Sequence, residues 1–118
     1  MIRIEPISAN AVKVFVPEKL QADDFHEIEP RIDALIAQSG QIRLLIDARH
    51  FHGWEDIAAF ECHAGFVKDH HRKVQRIAVI VGRDWQSWLI AFVRLFVHPE
   101  ARAFDSKDED EARRWLLA

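Results

Sequence analysis

The stretch from Asp84 to Val97 constrains this chain more than any other: Asp84-Trp85-Gln86-Ser87-Trp88-Leu89-Ile90-Ala91-Phe92-Val93-Arg94-Leu95-Phe96-Val97. It opens on a good N-cap residue and then runs almost wholly apolar. As a helix, at about 100° per residue, it carries its later polar side chains (Gln86, Ser87, Arg94) in one stripe roughly 100° wide. A surface helix of a small domain shows the reverse balance. Such a helix sits deep in a core, covers an apolar cavity, or meets something apolar from outside.

The apolar run within it is too short to cross a bilayer, which takes about 20 residues. The amino terminus, Met1-Ile2-Arg3-Ile4-Glu5, lacks the apolar core of a signal peptide. With a single cysteine, Cys62, no intrachain disulfide can form, so the expected setting is the cytoplasm. The 118 residues suggest one domain, residues 1–118, large enough to bury a core without metals or disulfides. A formal net charge of −3 argues against a general nucleic-acid binder, which carries a basic excess.

In chain order, Ile2–Ile7 alternates apolar and charged residues and is broken by Pro6, an edge strand. Val12, Val14 and Val16 alternate in a second strand, and the short link predicts a hairpin. Asp23 or Asp24 can cap a helix bearing Phe25, Ile28, Ile32, Leu35 and Ile36 at helical spacing. Pro30 either kinks that helix or marks its start, and Gly40 closes it. Ile42–Ala48 reads as a strand buried on both faces. The loop Arg49–Trp54 leads to a helix over about Glu55–Lys68, with a cationic exit at His70–Lys73. Ile77–Val81 is a second buried strand and turns through Gly82 into the Trp-rich helix. Ala101–Phe104 is a last strand, and Ser106 or Asp108 caps a final helix. Strands alternating with helices predict an α/β domain. Its sheet would be mostly parallel and about five-stranded, with an amino-terminal β-hairpin and four helices.

Leu45-Ile46-Asp47-Ala48-Arg49-His50-Phe51-His52-Gly53-Trp54 resembles the strand and loop of the SpoIIAA-like family, within the STAS and CRAL-TRIO group of folds. Three later blocks agree in order: Phe66–His71, Arg76–Gly82 with Trp85 and Trp88, and Phe104 with Glu111–Leu116. The resemblance implies a β-α superhelix and no enzyme activity. It implies a signalling module working through protein contacts, or a carrier of lipids or other apolar ligands. Anti-sigma-factor antagonists of this kind carry a phosphorylatable Ser or Thr just after the strand equivalent to Leu44–Asp47. Here Ala48-Arg49-His50-Phe51 offers no hydroxyl, so a Ser/Thr kinase switch is not expected at this point.

Trp54, Phe60, Trp85, Trp88, Leu89, Phe92 and Phe96 are the candidate wall or lid of an apolar pocket. Plain core packing and a dimer contact are the alternatives. Asp47, His50 and His70 are the candidate polar mouth, at the strand edge where open α/β sheets bind ligands. The simpler role for Asp47 is to cap nearby backbone N–H groups. Gly53 is expected to supply a positive φ or a close packing contact. His50 and His52, with His63, His70, His71, Cys62, Asp47 and Asp69 nearby, raise a metal site, but no standard zinc spacing is present and none is expected. Nucleophile elbow, phosphate loop and paired-carboxylate motifs are all missing from the sequence, and no cofactor is implied.

The first reading is therefore a non-enzymatic domain binding a small apolar or lipid-like ligand, with membrane contact through the Trp-rich helix as an extension. The second is a STAS-type regulatory protein-interaction module, a homodimer. A small metal-dependent enzyme is a distant third.

Overall fold

The computed structural model describes residues 2–82 and 100–118, with only the backbone of His71 and Glu100. The expected Trp-rich helix at 84–97 lies outside the described residues.

The elements are β1 (Arg3–Ser8), β2 (Ala11–Phe15), β3 (Lys19–Leu20), α1 (Ala22–Ser39), β4 (Ile42–Ala48), β5 (Gly53–Trp54), α2 (Ile57–His70), β6 (Val74–Val81), β7 (Glu100–Asp105) and α3 (Glu109–Leu117). Five strands form one mixed sheet in the order β1-β2-β4-β6-β7. The β1–β2 pair is antiparallel and the other pairings are parallel, as the alternation of strands and helices implies. The sequence reading missed β3 and β5, which make a separate two-residue parallel pair. Elements that short leave no periodicity to read. Three α-helices stand among the described residues where four were expected, the fourth being the one at 84–97.

Side chains alternate across each strand, which divides the core in two. Val12 and Val14 of β2, Leu44 and Ala48 of β4, and Ile77 and Val79 of β6 pack with Phe25, Ile28 and Ile32 of α1 and with Cys62 and Phe66 of α2. Leu45, Ala78, Ile80 and Phe104 point the other way and pack on Ala112 and Leu116 of α3. The near-continuous apolar reading of β4 and β6 follows from this double burial.

Local chemistry sets the helix ends. Gln21 N–H donates to Asp24 Oδ2 at 2.9 Å, so Asp24 closes α1 from its first turn rather than from the cap position. Gly40, at φ 82°, ends α1 and donates its N–H to the Ile36 carbonyl. Pro30 neither starts nor ends the helix. It lies on the exposed side, where water can satisfy the His26 carbonyl that its missing N–H leaves over. Asp56 Oδ1 accepts from Ala59 N–H at 2.8 Å and opens α2. At the carboxyl end of α3, Arg43 Nη1 donates to the Leu116 carbonyl and Arg76 Nη1 to the Trp115 carbonyl, both at 2.7 Å. Two cations on adjacent strands thus complete the helix terminus.

Candidate functional site

The carboxyl edge of the sheet carries a rim of ion pairs on its α3 face. Lys13 of β2 is buried and reaches Glu109 Oε2 at 3.0 Å and Asp47 Oδ2 at 3.7 Å. Arg49 bridges the same two carboxylates, with Nε on Asp47 Oδ1 at 2.9 Å and Nη2 on Glu109 Oε1 at 2.6 Å. Arg113, one turn along α3, adds a contact to Glu109 at 3.3 Å. The hydrogen bond to Asp47 raises the Arg49 pKa above its usual value, against the opposing effect of burial. Burial alone would push the Glu109 carboxyl up, but Lys13, then Arg113 and Arg49, hold it below the usual range. Asp47 also accepts the Arg49 backbone N–H at 3.3 Å, so it takes the local capping role as well.

On the other face, an apolar cavity of about 110 Å³ lies between the sheet and helices α1 and α2. Val14, Ile46, Phe25, Ile32, Phe51 and Val79 are among its walls, and His63 is its polar member. His63 Nδ1 accepts a hydrogen bond from Trp54 Nε1 at 2.9 Å, and its ring stacks on Phe25 at 4.9 Å. This enclosure pushes the His63 pKa down to about 3, because burial penalises the charged ring. Trp54 meets Phe51 and Phe60 edge to face, at 5.3 and 4.7 Å.

A third group forms at the opposite, amino edge of the sheet. His70, the last residue of α2, is buried and stacks on Phe66 at 4.3 Å. Its Nδ1 lies 2.7 Å from the Phe66 carbonyl and its Nε2 2.7 Å from Asp33 Oδ1 on α1. Glu29 stands one turn before Asp33, and one ligand-type atom from each of Glu29, Asp33 and His70 lies within 4.8 Å of the others.

A SpoIIAA-like family model matches residues 11–117. The chain belongs to the SpoIIAA-like family. Among solved structures, this SpoIIAA-like chain is similar to an uncharacterised Shewanella loihica protein with a SpoIIAA-like fold. The two are 23% identical with a TM-score of 0.78, over 98% of this chain and 92% of that one. It is similar in fold to the anti-sigma factor antagonist SpoIIAA in its unphosphorylated form, at 12% identity and a TM-score of 0.66, over 97% and 98% of the two chains. The Bacillus cell fate determinant SpoIIAA in its phosphorylated form gives 12% and 0.63, over 98% and 99%. Among curated proteins, none matches in sequence.

Within this SpoIIAA-like fold the expected site residues fall into separate places. Asp47 and exposed His50 belong to the carboxyl edge, whereas His70 lies at the amino edge, so the three do not form one pocket mouth. The reason is directional: α2 runs back against the strands, which carries its last residue to the far side of the sheet. Trp54 and Phe60 are half-buried but do not line the cavity. Trp54 sits on the outlying β5 and touches the cavity wall through His63 and Phe51. Trp85, Trp88, Leu89, Phe92 and Phe96 lie outside the described residues. His50 and His52 are both exposed, and the metal-type cluster among the described residues uses neither. Gly53 has a φ of 129°, the positive value expected of it. Lys13, Glu109, Glu29 and Asp33 were not legible as site residues. The one signal for the last two was a carboxylate pair at i, i+4 on a helix.

Proposed function

We infer that this chain is a non-enzymatic regulatory module that acts by docking a partner protein. The observation that carries this is Ile57. It is 76% exposed on the first turn of α2, beyond β5 and the exposed Glu55 and Asp56. An exposed aliphatic side chain of this size is one that a partner's apolar surface can cover. The likeness in fold to an anti-sigma factor antagonist supports the same reading. The loop after β4 lacks the hydroxyl of a phosphorylation switch, and in its place Arg49 is tied to Asp47 and Glu109. The charge of this rim is set by these ion pairs, and the reading calls on no hydroxyl-directed kinase switch in that loop.

The test is affinity capture with wild-type protein and with Ile57→Glu, both checked for equal melting temperature. A protein retained by wild type and lost by Ile57→Glu is expected. An unchanged set of retained proteins overturns the reading. The homodimer expected from the sequence belongs to the same proposal, and native mass spectrometry reads it directly.

An apolar ligand is a second reading, favoured by the cavity under α1 and α2. At about 110 Å³ it is smaller than the roughly 150 Å³ that admits a benzene-sized guest. A lipid chain enters it only if the helices part. No helix among the described residues is long and apolar enough to cross a membrane.

A further inference from the structure

We propose that Glu29, Asp33 and His70 form a binding site for one divalent transition-metal ion of zinc type, which clips α1 to α2. This goes beyond the docking reading and stands independently of it.

The geometry of His70 carries the argument. A backbone carbonyl and an ionised carboxylate can only accept hydrogen bonds. The His70 ring meets one of each, the Phe66 carbonyl at Nδ1 and Asp33 Oδ1 at Nε2, both at 2.7 Å. A neutral imidazole has a single N–H. Donated to Phe66, it leaves the Nε2 lone pair facing a carboxylate, which is repulsive unless a second proton or a metal ion joins them. A metal-binding histidine has this same outer arrangement, one ring N–H fixed by a carbonyl and the other nitrogen aimed at the ion.

The remaining ligands are in place. Glu29 and Asp33 are i, i+4 on one face of α1, where two like charges repel and a cation relieves them. One imidazole nitrogen and two carboxylate oxygens suit zinc, with a fourth position left for water. Bonds of about 2.0–2.2 Å from one ion to Nε2 and Oδ1 place those two atoms nearer 3 Å apart than 2.7 Å. The Asp33 side chain is 57% exposed, so it has room to swing that far. His70 is buried and held by stacking on Phe66, so the carboxylates adjust to the ring. The ligands come from two helices, so an ion there would brace α1 against α2 over the apolar cavity, beside the Phe25–Phe66 contact.

The experiment is calorimetric titration of zinc chloride into untagged protein stripped with chelator, repeated with cobalt(II) to read coordination from visible absorbance. One zinc per chain is expected, with a rise in melting temperature. Glu29→Gln and Asp33→Asn should each weaken binding at least tenfold. Glu29→Gln should not lower the metal-free melting temperature, since it relieves the repulsion from Asp33, which keeps the test valid if Asp33→Asn or His70→Gln fails to fold. His50→Ala with His52→Ala should leave zinc uptake intact. Absence of zinc uptake, meaning that a proton alone joins His70 to Asp33, overturns the proposal. So does uptake that survives Glu29→Gln, or uptake lost only in the His50/His52 variant.

Discussion

Lys13 and Glu109 lie 96 residues apart in the chain, yet Nζ and Oε2 meet at 3.0 Å and tie the second strand to the first turn of the last helix. Both side chains are largely withdrawn from water, at 10% and 25% exposure. Arg43 and Arg76 hold the other end of the same helix through its terminal carbonyls. Helix α3 has only nine residues, too few to persist alone, so it depends on these contacts and on Ala112 and Leu116 against the sheet. Losing one member of a shielded ion pair leaves the other charge desolvated. Lys13→Met and Glu109→Gln should each destabilise by about 1–3 kcal/mol. Urea melts of both single variants and the double variant should give a coupling of about 1–2 kcal/mol. Additive effects would show that the pair contributes only as solvated surface charge.

Gly82 follows β6 and lies against the loop after β4. A Cβ there would come within 2.0 Å of the Arg49 carbonyl oxygen. That obstacle is backbone and is braced by the Arg49 ion pairs, so it cannot swing aside as a side-chain tip would. Gly82→Ala should cost about 1–3 kcal/mol, as overpacking does, with amide exchange speeding up first in residues 48–52. A melting temperature equal to wild type would show that the loop yields freely.

The sheet was legible because its evidence is local. Val12, Val14, Leu44, Leu45, Ile77 and Ile80 show alternation or continuous apolarity along single strands. Gly40 marks a helix end by chemistry that acts within four residues. The site depended on partners far apart in sequence. Nothing in Glu29-Pro30-Arg31-Ile32-Asp33 points to His70, since the meeting is produced by α2 running antiparallel to the strands. Lys13 reads as the outward residue of an alternating strand, and only α3 crossing that face makes it buried. His63 looked like one more histidine on a helix, and its enclosure by Trp54 and Phe25 follows from the placement of β5.

The apolar cavity predicts an easy gain in stability. Val79 of β6 lines it, and one added methyl extends into space that is now empty. Val79→Ile should stabilise by about 0.5–1 kcal/mol, read as a shift in urea midpoint at constant slope. A loss of that size would mean the space closes in solution. The same variant would then report on how α1 and α2 settle on the sheet.

His63 makes the fold sensitive to acid, with a definite sign. Its folded pKa of about 3 lies below the ordinary 6.5, so the unfolded chain binds the proton first. The stability that neutral His63 contributes is complete above about pH 6.5 and is lost as pH falls toward 3. The slope from this single proton is about 1.4 kcal/mol per pH unit. Glu109 adds in the same direction at lower pH: its folded pKa is also depressed, so its contribution stands above the ordinary carboxyl value of 4.5 and fades below it. Between roughly pH 6.5 and 4.5, then, His63 separates from Glu109. His63→Gln keeps an acceptor for the Trp54 N–H and removes the titration. Urea midpoints across that window should fall for wild type and stay nearly level for His63→Gln. Parallel lines for the two proteins would show that water reaches His63, and that Trp54 and Phe25 do not seal it.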